Sequence, residues 1–177
     1  NVGIGVTDPN NHLMVGSSTG GDISVARTDS TISDGDSLGS ILFKGQDDGG
    51  TGVYGIGARI QALATETWNE ATAEGTSLNF YTTDNTTATH DLRMTIDDNG
   101  NVGIGTAAPA SELNLKSTNP ILIWEDSTSS ALHGQINVNG NYLHIRSMPN
   151  DKSSVNERVS VNLSNGNVGI GDSSPDY

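Results

Sequence analysis

Three glutamates in one short stretch are, by residue type, the best candidates for chemistry in this sequence. Glu66, Glu70 and Glu74 lie within residues 51–76. Glycoside hydrolysis needs two carboxyl groups that flank one bond at a defined separation. The spacing of these glutamates describes a solvated face equally well, and the sequence has no nucleophile-elbow, zincin or phosphate-loop motif. We therefore predict no catalytic residue, and we expect the chain not to be an enzyme.

A run that resembles a calcium loop is the second candidate. Residues Asp97 to Asn101 are rich in oxygen ligands, but they lack the ligand spacing and the closing glutamate of an EF-hand. A hairpin turn explains the run more simply. The chain has no cysteine, so a thiolate site is excluded. Its histidines are isolated in the sequence: His12, His90, His133 and His144. We expect no bound metal and no cofactor.

One tryptophan in a polar stretch is a candidate for binding. Trp68 is followed by Asn69 in a segment of threonines and glutamates, and Tyr54 precedes that segment. An indole among polar neighbours in a loop is suited to stacking on a sugar or to anchoring a protein partner. We therefore predict Trp68, Tyr54 and Asn69 as receptor contacts. The alternative is that Trp68 packs on its own sheet or against a neighbouring subunit.

A stretch repeated three times organises the chain around these residues. The copies read Asn-Val-Gly-Ile-Gly at 1–5, 101–105 and 167–171, each with a proline four residues after its last glycine. The apolar residues of a copy share one strand face and the glycines the other. We predict that neighbouring chains approach closely at the glycines, around a symmetry axis; bulges or tight turns in a monomeric sandwich are the alternative. The predicted packing residues are Val2, Gly3, Ile4, Gly5, Val102, Gly103, Ile104, Gly105, Val168, Gly169, Ile170 and Gly171.

Composition also favours assembly. Leu, Ile, Val and Phe make up 38 of 177 residues, and the formal net charge is −13. These values approach those of disordered chains, yet the apolar residues alternate in short runs bounded by turn residues. A chain with good strands and little core gains buried surface by oligomerising. The acidic balance excludes nucleic acid and anionic membrane surfaces as partners. No apolar run is long enough to span a bilayer, so we expect no membrane insertion.

The repeat divides the sequence into modules. We predict a first module at 1–100 with an insertion at about 51–76, a shorter second module at 101–166, and the start of a third at 167–177. Two further matches support this division: residues 22–25 match 120–123, and residues 37–45 match 131–140 when one residue is skipped. Since the chain begins and ends inside a repeat, we expect it to be a fragment of a longer protein.

Turn and strand patterns predict an all-β fold with short strands. Each of three Asn-Gly pairs, beginning at Asn99, Asn139 and Asn165, stands between alternating apolar runs, which predicts type I′ hairpin turns. Residues 58–73 are the strongest helix candidate, being rich in Ala and Glu. Their first half fits alternation equally well, so we predict a strand followed by a loop.

The repeat resembles a known family. The pattern Gly-Asn-Val-Gly-Ile-Gly-Thr-x-x-Pro-x-x-x-Leu-x-Val, followed over 100–115, 1–15 and 166–175, is similar to repeats of bacteriophage tail fibre and tailspike proteins. The resemblance implies tandem modules in an elongated homotrimer, a β-prism or interwoven sheet about a threefold axis. It also implies an extracellular virion location and partners among other tail fibre proteins and host surface glycan or protein. The autocleaving chaperone domain of that family is not in this segment, so self-cleavage is not assigned.

Two functional hypotheses remain from the sequence. The first is a structural tail fibre segment that spaces, and contributes to, host attachment. The alternative is a tailspike-like glycan hydrolase module or a bacterial trimeric surface adhesin built from similar repeats. Glycan turnover by the purified segment would distinguish the hydrolase from the fibre.

Overall fold

The described structure consists of strands, turns and loops. This computed structural model describes residues 2–4, 13–46, 54–70, 72–127, 133–149 and 154–175. The described residues contain no helix, which confirms the predicted all-β class, and none of them forms a helix able to cross a membrane. The chain divides into two compact units, 1–91 and 92–177. The module boundaries expected from the repeat are a separate division and stay a prediction.

Unit 1 contains a short parallel pair and an antiparallel meander. Its strands are β1 (Val2–Ile4), β2 (Leu13–Val15), β3 (Ser37–Gln46), β4 (Tyr54–Ala64) and β5 (Thr76–Thr83). β1 and β2 run parallel, whereas β4 lies antiparallel between β3 and β5. β4 ends at Ala64 and a loop follows, so the prediction of a strand and then a loop within residues 58–73 is confirmed.

Unit 2 contains the remaining strands, apart from the first two residues of β6. They are β6 (His90–Ile96), β7 (Val102–Ile104), β8 (Leu113–Leu115), β9 (Ile121–Trp124), β10 (His133–Asn139), β11 (Tyr142–Met148), β12 (Asn156–Asn162) and β13 (Val168–Ile170). β7 pairs antiparallel with β6 and parallel with β8. The last five strands form an antiparallel sheet in the order β13-β12-β11-β10-β9. All its connections are therefore between neighbouring strands.

The repeated sequence forms the same structure wherever both of its halves are described. Val2 lies opposite Leu13 in β1 and β2, and Val102 lies opposite Leu113 in β7 and β8, with the same spacing along the chain. The third copy, β13, pairs antiparallel with β12 as β7 pairs with β6. The repeat is thus a structural element as well as a sequence pattern.

Strand register corrects the match between residues 37–45 and 131–140. The middle strand of each meander holds an isoleucine between two apolar partners: Ile60 between Ile41 and Phe80, and Ile136 between Leu122 and Ile145. β3, β4 and β5 therefore correspond to β9, β10 and β11. The match of residues 22–25 with 120–123 is wrong for the same reason, because β9 takes the position of β3. β4, which lies entirely within the stretch read as an insertion, occupies the position of β10. The sequence match failed because alternation looks alike in neighbouring strands.

The Asn-Gly turns are not of type I′. Gly100, Gly140 and Gly166 have φ values of 84°, 58° and 81°, but Thr86 is the only described non-glycine residue with positive φ. A type I′ turn needs positive φ at both central residues. In the turn after β6, the Gly100 N–H donates to the Asp97 carbonyl at 3.0 Å, which suits a longer loop closed by a left-handed glycine. The hairpins form, and in each Asn-Gly pair only the glycine has a positive φ.

The distribution of buried residues is inverted. Only two apolar residues in the described part of the chain are fully buried, Ala64 and Met148. The buried polar residues are Gln61, Ser77, Asn79, Thr95, Thr106, His133, Gln135, Asn137, His144, Ser160 and Asn162. Large apolar side chains on most strands are exposed instead. A single chain therefore leaves uncovered the surface that would normally form a core.

Candidate functional site

The unit 2 sheet has one continuous apolar face. Residues directly opposite each other on paired strands share a face. Two rows cross all or most of the sheet: Leu122, Ile136, Ile145, Val159 and Ile170, and Val138, Leu143, Val161 and Val168. These residues, with Trp124, are called the unit 2 apolar face. The exposure of these residues reaches 86% at Ile170. One charged side chain lies beside them: Arg158 Nε donates to Ser147 Oγ at 2.8 Å, and Ser147 belongs to the row of Trp124.

The opposite face of the same sheet is polar and hydrogen-bonded. Gln135 Nε2 donates to Asn137 Oδ1 at 3.4 Å, and Asn137 Nδ2 donates to Asn119 Oδ1 at 3.0 Å. Ser160, further across the sheet, is 0% exposed. Side-chain amides and hydroxyls can be buried in this way because each finds a partner. The polar side chains of this sheet are thus buried and hydrogen-bonded, whereas its apolar side chains are exposed to solvent.

Charged residues on the polar face form one compact cluster. Arg146 Nε donates to Glu157 Oε2 at 2.7 Å, and His144 Nδ1 lies 3.1 Å from Glu157 Oε1 and 2.9 Å from Ser160 Oγ. Burial alone would raise the pKa of Glu157. The hydrogen bonds from Arg146 and Ser160, with the positive charge of Arg146, outweigh burial and lower that pKa. Ser160 and Glu157 approach the same imidazole nitrogen, and Ser160 is inaccessible, so the arrangement stabilises the sheet and is unsuited to nucleophilic catalysis.

Unit 1 repeats the two-faced arrangement. Ile41, Ile60 and Phe80 form one apolar row, and Gln61 and Asn79 are buried on the other face. The apolar face of this unit comprises Gly39, Ile41, Phe43, Ala58, Ile60, Ala62, Leu78, Phe80 and Thr82. Together with Ile23 and Val25, part of it lines a shallow depression of about 260 Å³. This unit 1 apolar face lacks charged side chains.

The glycines of the repeat are crowded by their own chain. A Cβ on Gly103 would lie 2.6 Å from the Thr106 carbonyl oxygen and 3.5 Å from Pro109 Cβ. Gly169 meets Asp172 and Pro175 in the same way, at 2.9 Å and 3.3 Å. The close approach expected at Gly103 and Gly169 is therefore made by the loops that follow the second and third copies. It does not by itself require a second chain.

The apolar residues of the repeat face outward. Val2, Ile4, Ile104, Val168 and Ile170 are exposed, and Val102 is half-buried. Gly105 and Gly171 have φ values of 76° and 73°, so each ends its strand in a conformation that favours glycine. Gly5 lies outside the described residues. The packing of these valines and isoleucines against other copies stays a prediction.

The predicted receptor contacts do not form one site. Trp68 and Asn69 lie in the loop after β4, where Trp68 is half-buried and its Nε1 donates to the Gly75 carbonyl at 3.3 Å. Tyr54, 56% exposed, begins β4. A strand of this length separates its two ends by roughly 33 Å. Tyr54 and the Trp68 loop are therefore distinct surfaces.

The residues first considered for chemistry serve local structure. Glu66 Oε1 accepts a hydrogen bond from the Gly75 N–H at 2.7 Å. Asp97 Oδ1 accepts the N–H groups of Asn99 and Asn101, at 3.0 Å and 2.7 Å. Within the described ranges, no group of three or more His, Cys, Asp or Glu side chains is arranged to hold a metal ion. His12 lies outside those ranges.

Two exposed aromatic residues of the sheets were not among the predicted site residues. Phe43 and Trp124 occupy corresponding positions in β3 and β9, and both are half exposed. The available signal was that each ends a short apolar run, at 41–43 and 121–124. Trp124 is 54% exposed, so the described part of the chain leaves about half of its surface uncovered.

Known proteins resemble the chain only distantly. The carboxy-terminal domain of the bacteriophage T5 L-shaped tail fibre, solved with its intra-molecular chaperone domain, is 10% identical with a TM-score of 0.46, covering 92% of this chain and 63% of that chain. The same carboxy-terminal domain solved alone is 11% identical with a TM-score of 0.44, covering 92% and 91%. This chain thus spans less than two thirds of the first structure. No family model and no curated protein matches it.

Proposed function

We propose that the chain is a structural, non-enzymatic segment of a phage tail fibre that assembles as a homotrimer. The uncovered apolar faces of the two units carry this proposal. A sheet with one apolar face must bury it against a second layer. In its described part the chain supplies only the segment around Ile23 and Val25, which lies against unit 1 at Gly39 and leaves the rest of both faces open. A second and a third copy would supply the remaining layer.

The energetics favour association through these faces. Complete burial of one Val, Leu or Ile side chain contributes about 1.5–3 kcal/mol. Each apolar face presents several such side chains in continuous rows. With a net charge of −13, each copy repels the next, but the rows of both apolar faces contain no carboxylate. Contact between the apolar faces of different copies therefore brings the copies together without placing carboxylates opposite each other.

The sequence repeat supports the tail fibre assignment. Its glycine and proline positions are those of the tail fibre and tailspike repeats described above, and the repeat forms the same strand pair twice. On this proposal the segment is extracellular on the virion, contacts other tail fibre proteins, and spaces the attachment surface from the particle. Tyr54, Trp68 and Asn69 are proposed as separate weak contacts for host glycan or protein. Three copies on one fibre would strengthen them through effective concentration.

Native mass spectrometry tests the assembly. The proposal expects one species at three times the chain mass of 18.4 kDa, and a folded single-chain species would contradict it. Incubation of the same sample with bacterial surface polysaccharides tests the assignment to a non-enzymatic class. Release of shorter saccharides would replace the structural proposal with the tailspike-like hydrolase.

A further inference from the structure

We propose that Phe43 and Trp124 are equivalent anchors through which one copy of the chain contacts the next. The inference rests on the proposed homotrimer and identifies the residues that hold it together. The partner is a second copy of this chain. Each unit would use its own aromatic anchor.

The two aromatic residues have the same surroundings in the two units. Phe43 lies opposite Ala58, which in turn lies opposite Thr82. Trp124 lies opposite Gly134, which lies opposite Ser147. Each row thus reads aromatic, small, hydroxyl across three neighbouring strands. The correspondence is independent of the Asn-Val-Gly-Ile-Gly repeat, because none of these residues belongs to it.

Neither ring is covered by its cross-strand neighbour. An added Cβ at Gly134 would have no heavy atom within 4 Å, so the surface beside Trp124 is open. Phe43 and Trp124 are 53% and 54% exposed. An aromatic side chain offers about 150–250 Å² for burial and loses little conformational freedom. An open ring beside a small residue therefore leaves a surface that a partner can fill.

Position in the sheet favours a lateral contact. β9 is the terminal strand of its sheet, and β3 is likewise first in its strand order. Both rings therefore lie at the outer edge of an apolar face, beside rows that supply the surrounding aliphatic contacts. Binding energy at protein interfaces concentrates in such aromatic residues, and neighbouring contacts exclude water around them.

The row neighbours of the rings, and their repetition in the two units, favour another copy as the partner. A sugar-binding site would place polar groups around the ring to hydrogen-bond hydroxyls. Here the nearest row neighbours of the two rings are Ala58 and Gly134, which offer no hydrogen-bonding side chain. The Trp124 row ends in Ser147, whose hydroxyl already accepts a hydrogen bond from Arg158 Nε at 2.8 Å. The same anchor also occurs once in each unit. A symmetric assembly of identical chains brings such repeated surfaces together in register.

Truncation of the rings tests the inference. Phe43→Ala and Trp124→Ala are compared with Tyr54→Ala, which removes an equally exposed aromatic ring from outside the two anchor rows. Light scattering during dilution measures the concentration at which each trimer dissociates. We expect at least a tenfold increase for each anchor variant and no change for Tyr54→Ala. Unchanged dissociation of both anchor variants would overturn the inference.

Two further measurements separate the causes of failure. If the wild-type chain is itself monomeric, the proposed homotrimer fails before the anchors are tested. If an alanine variant does not fold, Trp68→Phe leaves Trp124 as the sole tryptophan in an otherwise intact chain. Its fluorescence should be shielded from acrylamide in the trimer and become quenchable on dilution. Equal quenching at all concentrations, while the mass changes, would contradict a role for Trp124 in the contact.

Discussion

At the residue scale, the polar face shows how charged groups are accommodated in a chain with almost no apolar core. Glu157, 12% exposed, lies between Arg146 and His144, and Ser160 completes the cluster. The sequence predicted strands through these residues but assigned them no partners. The pairing depends on a β-bulge between Ile145 and Arg146, which brings Glu157 opposite Arg146. A bulge adds one residue to one strand and shifts the register, and the alternation of apolar and polar residues does not predict where this happens.

The lowered pKa of Glu157 predicts a pH-dependent contribution to stability. The contribution is complete above the ordinary pKa of an unfolded-chain glutamate, about 4.5, and is lost as pH falls through the lower folded-state pKa. At pH 7, Glu157→Gln should reduce the free energy of unfolding by about 1–3 kcal/mol, because Arg146 loses its charged acceptor. Chemical denaturation should show this difference shrinking in acid. A difference independent of pH would contradict the assignment.

The three Asn-Gly pairs should differ in chemical lifetime. Deamidation begins when the glycine backbone nitrogen attacks the asparagine side-chain carbonyl carbon; ammonia leaves, and water opens the succinimide. The N–H groups of Gly100 and Gly166 are held by carbonyls at 3.0 Å and 2.7 Å. Gly140 N–H donates to no backbone carbonyl within the described ranges.

We therefore expect Asn139 to deamidate first. Peptide mapping of aged protein by mass spectrometry measures conversion at all three sites, and those at Asn99 and Asn165 serve as internal controls. Equal rates at the three asparagines would show that engagement of the glycine amide does not control this reaction.

At the element scale, the second and third copies of the repeat are strands whose glycine face packs against the loop that follows in the same chain. The sequence identified these glycines as sites of close approach, and the structure identifies what approaches: Thr106 and Pro109 at Gly103, and Asp172 and Pro175 at Gly169. Alternation places the glycines on one face, but it cannot say whether the neighbour comes from the same chain. That information lies in the conformation of the loop.

Substitution of two glycines by alanine tests this interpretation. Gly103→Ala should lower stability by about 1–3 kcal/mol, because the new methyl group overlaps Thr106. Gly55→Ala is the matched control: it lies in a strand, and an added Cβ meets nothing within 4 Å. That change should be neutral or stabilising by up to about 1 kcal/mol. Thermal denaturation of both variants measures the difference, and equal effects would contradict crowding at Gly103.

The positions of the strands were easier to predict from the sequence than the pairing between them. Alternation located β4, β10 and β11, and the repeat located β7 and β13. The correspondence of residues 37–45 with 131–140 was wrong because a shift to the neighbouring strand preserves the apolar pattern. Cross-strand rows, such as Phe43 beside Ala58 and Trp124 beside Gly134, became visible only in the paired sheet.

At the scale of the whole molecule, the account depends on where the apolar surface goes. Each unit exposes an apolar face and buries a polar one, so a single chain gains little from folding alone. Association would bury the exposed apolar faces, and the folding of each chain would then be linked thermodynamically to assembly. A linked system gains stability with protein concentration, whereas a monomer does not.

Light scattering combined with thermal unfolding over a wide range of protein concentration tests this claim most directly. The account predicts a particle of three times 18.4 kDa, with an unfolding temperature that rises as the concentration rises. A compact 18.4 kDa particle that unfolds cooperatively at one temperature, whatever its concentration, would contradict it.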